Sequence, residues 1–137
     1  MNVLLSIKPQ YVEKILNGTK KYEFRRILFK KPVRRIEIYS SSPVKKLVGF
    51  FVPGKIVEDS PANLWKHFQN DAGVTEKEFF AYFHKKEIGF AIEIVEIATY
   101  PVPIDPFEED PDFIPPQSYT YRSSERQDNE HRTGGCR

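Results

Sequence analysis

The run Ile88-Gly89-Phe90-Ala91-Ile92-Glu93-Ile94-Val95-Glu96-Ile97 constrains this chain more than any other segment. Its β-branched residues lose side-chain freedom in a helix and suit a pleated, half-buried surface, and its length predicts a central strand flanked by others. Shorter strand patterns surround it. Val3 to Ile7 is an apolar run; Lys21 to Arg25 and Arg35 to Tyr39 alternate charged with apolar or aromatic residues; Lys46 to Val52 and Lys55 to Glu58 read as two pieces joined at Pro53-Gly54. Ser118 to Tyr121 reads as an edge strand.

Three segments carry helix signals. Pro9 to Leu16 has proline at the first helical position, Val12, Ile15 and Leu16 at helical spacing, and Gly18 where a left-handed cap falls. Ser60-Pro61 opens a second helix whose Leu64, Trp65 and Phe68 form one apolar stripe, and Thr75-Glu76-Lys77-Glu78 has the capping-box pattern before Phe79, Phe80 and Phe83. Too few helices separate the strands for a doubly wound parallel sheet. The pattern predicts an α+β domain on a small, partly closed β-barrel with two to three flanking helices. At 137 residues, with 39% hydrophobic content, the chain suits one core. The domain is expected over 1–121, with 122–137 a disordered polar tail.

Other classes recede. No run reaches the ~18 apolar residues of a membrane span, and the amino terminus lacks the signal-peptide pattern, so a cytoplasmic location and no membrane partner are expected. The one cysteine, Cys136, cannot build a disulfide within one chain, and His67, His84 and His131 are scattered, so neither metal nor cofactor is expected.

Charge is divided along the chain. Residues 1–60 carry 13 Lys/Arg against 5 Asp/Glu, a net of +8, whereas residues 61–137 carry 8 against 14, a net of −6. Ten cations lie between Lys20 and Lys46 with only Glu23 and Glu37 among them. Such density suits an anionic partner, although a run of charge can also be a solvated face. If Lys21 to Arg25 is a strand, Lys21, Glu23 and Arg25 share one face while Tyr22 and Phe24 point to the core. That face could hold an anion or a nucleobase, with arginine donating to phosphate or carbonyl and glutamate accepting from an amino group; it could equally be an exposed surface neutralising itself.

The stretch Gly18-Thr19-Lys20-Lys21-Tyr22-Glu23-Phe24-Arg25 matches the pattern Gly-x-Lys-x-x-Glu-x-Arg, and in this it resembles ASCH domains, a branch of the PUA-like superfamily. The chain to about Tyr121 resembles the small single-domain members, including the Ser42-Pro43-Val44 turn. The resemblance implies a pseudo-barrel whose cleft binds RNA or a nucleotide, with Lys20, Glu23 and Arg25 as site residues and Gly18 as the turn presenting them. Lys21, Arg26 and Tyr39 are expected to add nucleic-acid contacts, with Tyr119 and Tyr121 as further stacking candidates. Some relatives are amidohydrolases that deacetylate N4-acetylcytidine, and others are ribonucleases. In the first case Lys20 matches the working lysine and Glu78 stands in position for the glutamate, but Glu23 stands where those enzymes have threonine. Glu78 also has a structural explanation as the last residue of the capping box. No ribonuclease site is assignable from the sequence, and whether the chain is an enzyme stays open, as does its oligomeric state.

Overall fold

A computed structural model describes residues 1–123. The element order is β1 (Asn2–Ile7), α1 (Pro9–Leu16), β2 (Tyr22–Arg25), β3 (Arg35–Ser40), β4 (Lys46–Asp59), α2 (Pro61–Phe68), a 3₁₀ turn (Gln69–Asp71), α3 (Glu76–Tyr82), β5 (Gly89–Ile104), α4 (Pro106–Glu109) and β6 (Thr120–Arg122). The strands form one six-stranded sheet in the order β2-β5-β4-β3-β1-β6, in which only β1 and β3 run parallel. The sheet does not close into a barrel, but its two end regions approach each other. Arg25, on edge strand β2, donates from Nη2 to the carbonyl of Ser118, just before edge strand β6, over 2.8 Å. This is the partly closed α+β architecture that the strand pattern predicts.

Local chemistry sets the element ends. Gly18 has φ +85°, a region that costs other residues a Cβ clash, and behind it the Thr19 and Lys20 amides both donate to the Lys14 carbonyl. The chain thus leaves α1 in a fixed direction and enters β2 two residues after Lys20. Ser60 Oγ accepts from the Asn63 amide, and the Thr75/Glu78 capping box is complete in both directions.

Two differences concern strand length. β4 is one 14-residue strand, with register shifts around Pro53 where two pieces were expected, and β5 continues through Pro101 and Pro103 to Ile104. Ladder irregularities on both strands tolerate prolines that a regular central ladder would not. The acidic stretch also gains a four-residue helix, α4, capped by the Asp105 carboxylate, which accepts from the Phe107 amide. Arg122, assigned to the tail from the sequence, is the last residue of β6 and lies 3.5 Å from Glu37. The rest of the expected tail from residue 124, with Cys136 and His131, lies outside the described residues.

The main core joins α1 (Val12, Ile15) to β1, β3, β4 and β5 through Val3, Leu5, Ile36, Ile38, Phe51 and Ile92. A second cluster packs α2 and α3 under β2: Phe24 meets Phe79 edge-on at 5.0 Å, and Trp65 meets Phe79 at 5.1 Å. Trp65 is therefore part of the core stripe. Among the described residues no helix is long and apolar enough to cross a membrane.

Candidate functional site

A cavity of about 590 Å³ opens where the sheet fails to close. Its walls are the end of β1 (Ser6, Ile7), the start of α1 (Lys8, Gln10, Tyr11), β2 with the residues beside it, α3 (Glu78, Phe79, Ala81, Tyr82) and the rim residues Gln117 and Ser118. Lys20, Glu23, Arg25, Arg26 and Glu78 all line it. With Lys8, its lining carries four cations against two carboxylates.

Lys20 is 2% exposed, an unusual position for a lysine. Its ammonium donates to the Ala72 carbonyl over 2.7 Å and lies 3.9 Å from Glu23 Oε1. The ring of Phe24 is 5.0 Å away and that of Tyr11 5.8 Å, both suited to cation–π attraction. Burial pushes the Lys20 pKa below the usual lysine value, and the Glu23 carboxylate opposes that shift. Glu23, 6% exposed, sits between two cations, with Oε2 accepting from Arg25 Nη1 at 3.1 Å. Arg25 is thereby held at both ends, by Glu23 and by the Ser118 carbonyl.

Gly73 makes the burial of Lys20 feasible. It has φ +67°, and a Cβ there would lie 2.6 Å from Lys20 Cβ and 2.8 Å from Cγ. The lysine stem runs across the bare glycine to reach the Ala72 carbonyl. Neither residue carries a motif; the signal available in the sequence was a small-residue pair, Ala72-Gly73, between two helices.

Glu78 faces the same cavity but is engaged. Its Oε1 accepts from the Thr75 amide at 2.9 Å and its Oε2 from the Tyr11 hydroxyl at 2.6 Å. These bonds hold its carboxyl at about 2, led by the Thr75 backbone bond, while burial, with the Glu78 contact second, pushes the Tyr11 phenol up to about 12. Tyr11 was not singled out by sequence; it stands between Lys20 and Glu78, linking the two. Ser6 is a second such residue: its Oγ is buried without a hydrogen-bond partner among the described residues.

The other expected contacts divide. Arg26 is exposed at the rim, its guanidinium 4.9 Å from the Tyr82 ring. Lys21 is exposed and does not line the cavity; its backbone is tied to Asp71 and Ile94. Tyr39 is a correction. It is 1% exposed, on the face of β3 opposite Ile36 and Ile38 as alternation sets it, but that face is covered too, by a separate cluster of Leu4, Leu47 and Phe113. A ring so buried cannot stack on a base. Tyr119 and Tyr121 form an edge-to-face pair at 5.3 Å, and the Tyr121 hydroxyl accepts from the Lys30 and Lys31 amides. Among the described residues no cluster of three His, Cys, Asp or Glu could hold a metal ion.

Comparison with known proteins places this geometry. No family model matches the chain. A Zymomonas mobilis protein described as an ASCH domain-containing ribonuclease is 31% identical over 125 residues, spanning 89% of this chain and 84% of the relative. A Ureaplasma parvum protein named ATP synthase subunit alpha is 27% identical over 104 residues, but the match spans only 13% of that polypeptide. The crystal structure of ASCH from Zymomonas mobilis superposes with a TM-score of 0.85 at 28% identity, covering 94% of this chain and 92% of that one. The N-terminal domain of Staphylothermus marinus McrB shares the fold more distantly, with a TM-score of 0.57 at 14% identity. With a relative this similar along most of both chains, and the fold to match, the chain belongs to the ASCH family.

Proposed function

We propose that the chain binds RNA, taking one nucleotide of a single strand into the cavity between β1 and β2. The observation that carries this reading is the buried ionic row Lys20–Glu23–Arg25 in a concave, net-basic hollow. A volume of about 590 Å³ falls within the range of small-molecule pockets, so a nucleotide fits and a duplex does not. The guanidinium of Arg25 keeps donors beyond those given to Glu23 and Ser118, and the Glu23 carboxylate keeps lone pairs for a base amino group. RNA is favoured over other anions because the Zymomonas relative is described as a ribonuclease.

That description also favours a second reading, in which the bound strand is cut. The 2′-hydroxyl would attack the adjacent phosphorus to form a 2′,3′-cyclic phosphate as the bond to the 5′-oxygen breaks, the hydroxyl proton passing to water, while Arg25 stabilises the charge on the phosphoryl oxygens and the Lys20 ammonium gives a proton to the departing 5′-oxygen. Lys20 suits the acid because burial lowers its pKa. Hydrolysis of an acylated nucleoside such as N4-acetylcytidine has less support. Glu78, held at about 2 by its hydrogen bonds, is a poor proton shuttle near neutrality, and Glu23 stands where a hydroxyl would be needed.

Fluorescence anisotropy with a labelled single-stranded RNA tests the binding. Affinity should fall with salt at a log–log slope of about −0.7 per phosphate contacted. Arg25→Ala should weaken binding roughly 10-fold or more, the worth of one charged hydrogen bond at about 1.5–3 kcal/mol. Salt-insensitive binding, or an Arg25→Ala variant equal to the parent, refutes the reading. Electrophoresis of the same RNA after incubation reports cleavage.

A further inference from the structure

We infer that the connection from Arg26 to Lys31, between β2 and β3, is a second RNA contact, holding the backbone of the strand beside the nucleotide in the cavity. This rests on the cavity reading above and extends it to the surface outside. Between Arg25 and Ile36 the chain has six cations and no carboxylate. Arg25 is paired with Glu23, and Arg35, Arg26 and Lys31 each face a ring, of Phe50, Tyr82 and Tyr121, at 4.4, 4.9 and 5.0 Å. Arg26, Lys30, Lys31 and Arg34 are exposed, and among the described residues none of them has a carboxylate within salt-bridge distance. Cations grouped in this way repel one another until a polyanion lies across them.

The segment is held in place. Its Phe29 is buried in the main core, and the Lys30 and Lys31 amides donate to the Tyr121 hydroxyl over 2.7 and 3.0 Å. The Lys31 ammonium lies 5.0 Å from the Tyr121 ring. A backbone fixed beforehand loses less entropy when it binds. The surface is also continuous with the cavity, since Arg26 and Ile27 line the opening and Ser118 on the opposite rim leads directly to Tyr119 and Tyr121.

Ile27 distinguishes a nucleic acid from other polyanions. It is 55% exposed beside the cations at the cavity mouth, an apolar face on which a neighbouring base can lie. A polycarboxylate such as poly-glutamate has no flat apolar group to set there.

The experiment compares the intact chain with a Lys30→Ala/Lys31→Ala double variant, which keeps both amides that hold Tyr121. Two probes are used: a labelled single-stranded RNA of mixed sequence across a salt series, and the four ribonucleoside 5′-monophosphates by calorimetry. The expected result is a salt slope for RNA reduced by about 1.4, that is about 0.7 for each of two lost phosphate contacts, with mononucleotide affinity unchanged. If mononucleotides bind but the RNA slope matches the parent, the inference falls and the cavity reading stands. If no mononucleotide binds but the double variant still lowers the slope, the basic contact stands and the cavity reading falls. Poly-glutamate binding as tightly as RNA of equal charge overturns the assignment to nucleic acid.

Discussion

Substituting Gly73 by alanine sets a methyl group against the stem of Lys20, and the cost can be worked from two separable parts. The first is backbone strain at φ +67°, about 1–2 kcal/mol for a residue with a Cβ in the left-handed region. The second is steric. The new Cβ would lie 2.6 Å from Lys20 Cβ, 2.8 Å from Cγ and 3.1 Å from Cδ, the root of the side chain rather than its mobile end, so the lysine must move bodily. Overpacking of that sort costs about 1–3 kcal/mol. Together they predict a loss of about 2–5 kcal/mol in urea unfolding, or roughly 8–20 °C in Tm at about 4 °C per kcal/mol for a chain of this size. Gly18→Ala is the control: φ is +85° but nothing lies within 4 Å of the added Cβ, so strain alone remains, about 1–2 kcal/mol. Gly73→Ala should also weaken RNA binding, because the displaced ammonium leaves Glu23, whereas Gly18→Ala should not. Equal losses of stability in the two variants would refute the claim that Gly73 exists to seat Lys20.

Two further outcomes follow from the same contacts. The Glu78 pKa is depressed on folding, so its contribution is complete above the ordinary value of 4.5 and disappears as pH falls to about 2; the Tm gap between parent and Glu78→Gln should close over that window in a thermal-melt series, and a constant gap would contradict the proposed hydrogen bonds. Phe79→Ala should cost about 3–5 kcal/mol in chemical denaturation, since its ring meets Phe24, Trp65, Phe80 and Phe83, and a loss under 1 kcal/mol would show that this cluster is not a packed core.

Much of the fold was legible because local rules fix it. Pro9, Gly18, Ser60 and the Thr75–Glu78 box mark helix ends by hydrogen bonds spanning a few residues, and the alternation of Tyr22 to Arg25 sets which side chains face the cavity. The continuation of β5 to Ile104 was hidden by Pro101 and Pro103, which read as breakers unless the partner strand's irregularity is known. The site was half legible. The motif pointed to Lys20, Glu23 and Arg25, but the burial of Lys20 depends on Ala72 and Gly73, more than fifty residues away, and no periodicity reports a contact of that range. Tyr39 illustrates the same limit: alternation along β3 sets its face, but the cover on that face includes Leu4 and Phe113 from distant segments, which no periodicity reports.

The account depends on a nucleotide entering the gap beside the Lys20–Glu23–Arg25 row. Titrating the protein with ribonucleotides while following backbone amide chemical shifts tests this most directly. The predicted result is saturable shifts concentrated at Ser6, Lys20, Glu23, Arg25 and Ser118. Shifts absent from those five, or confined to the far stretch of β5 around Val95 to Val102, would contradict it.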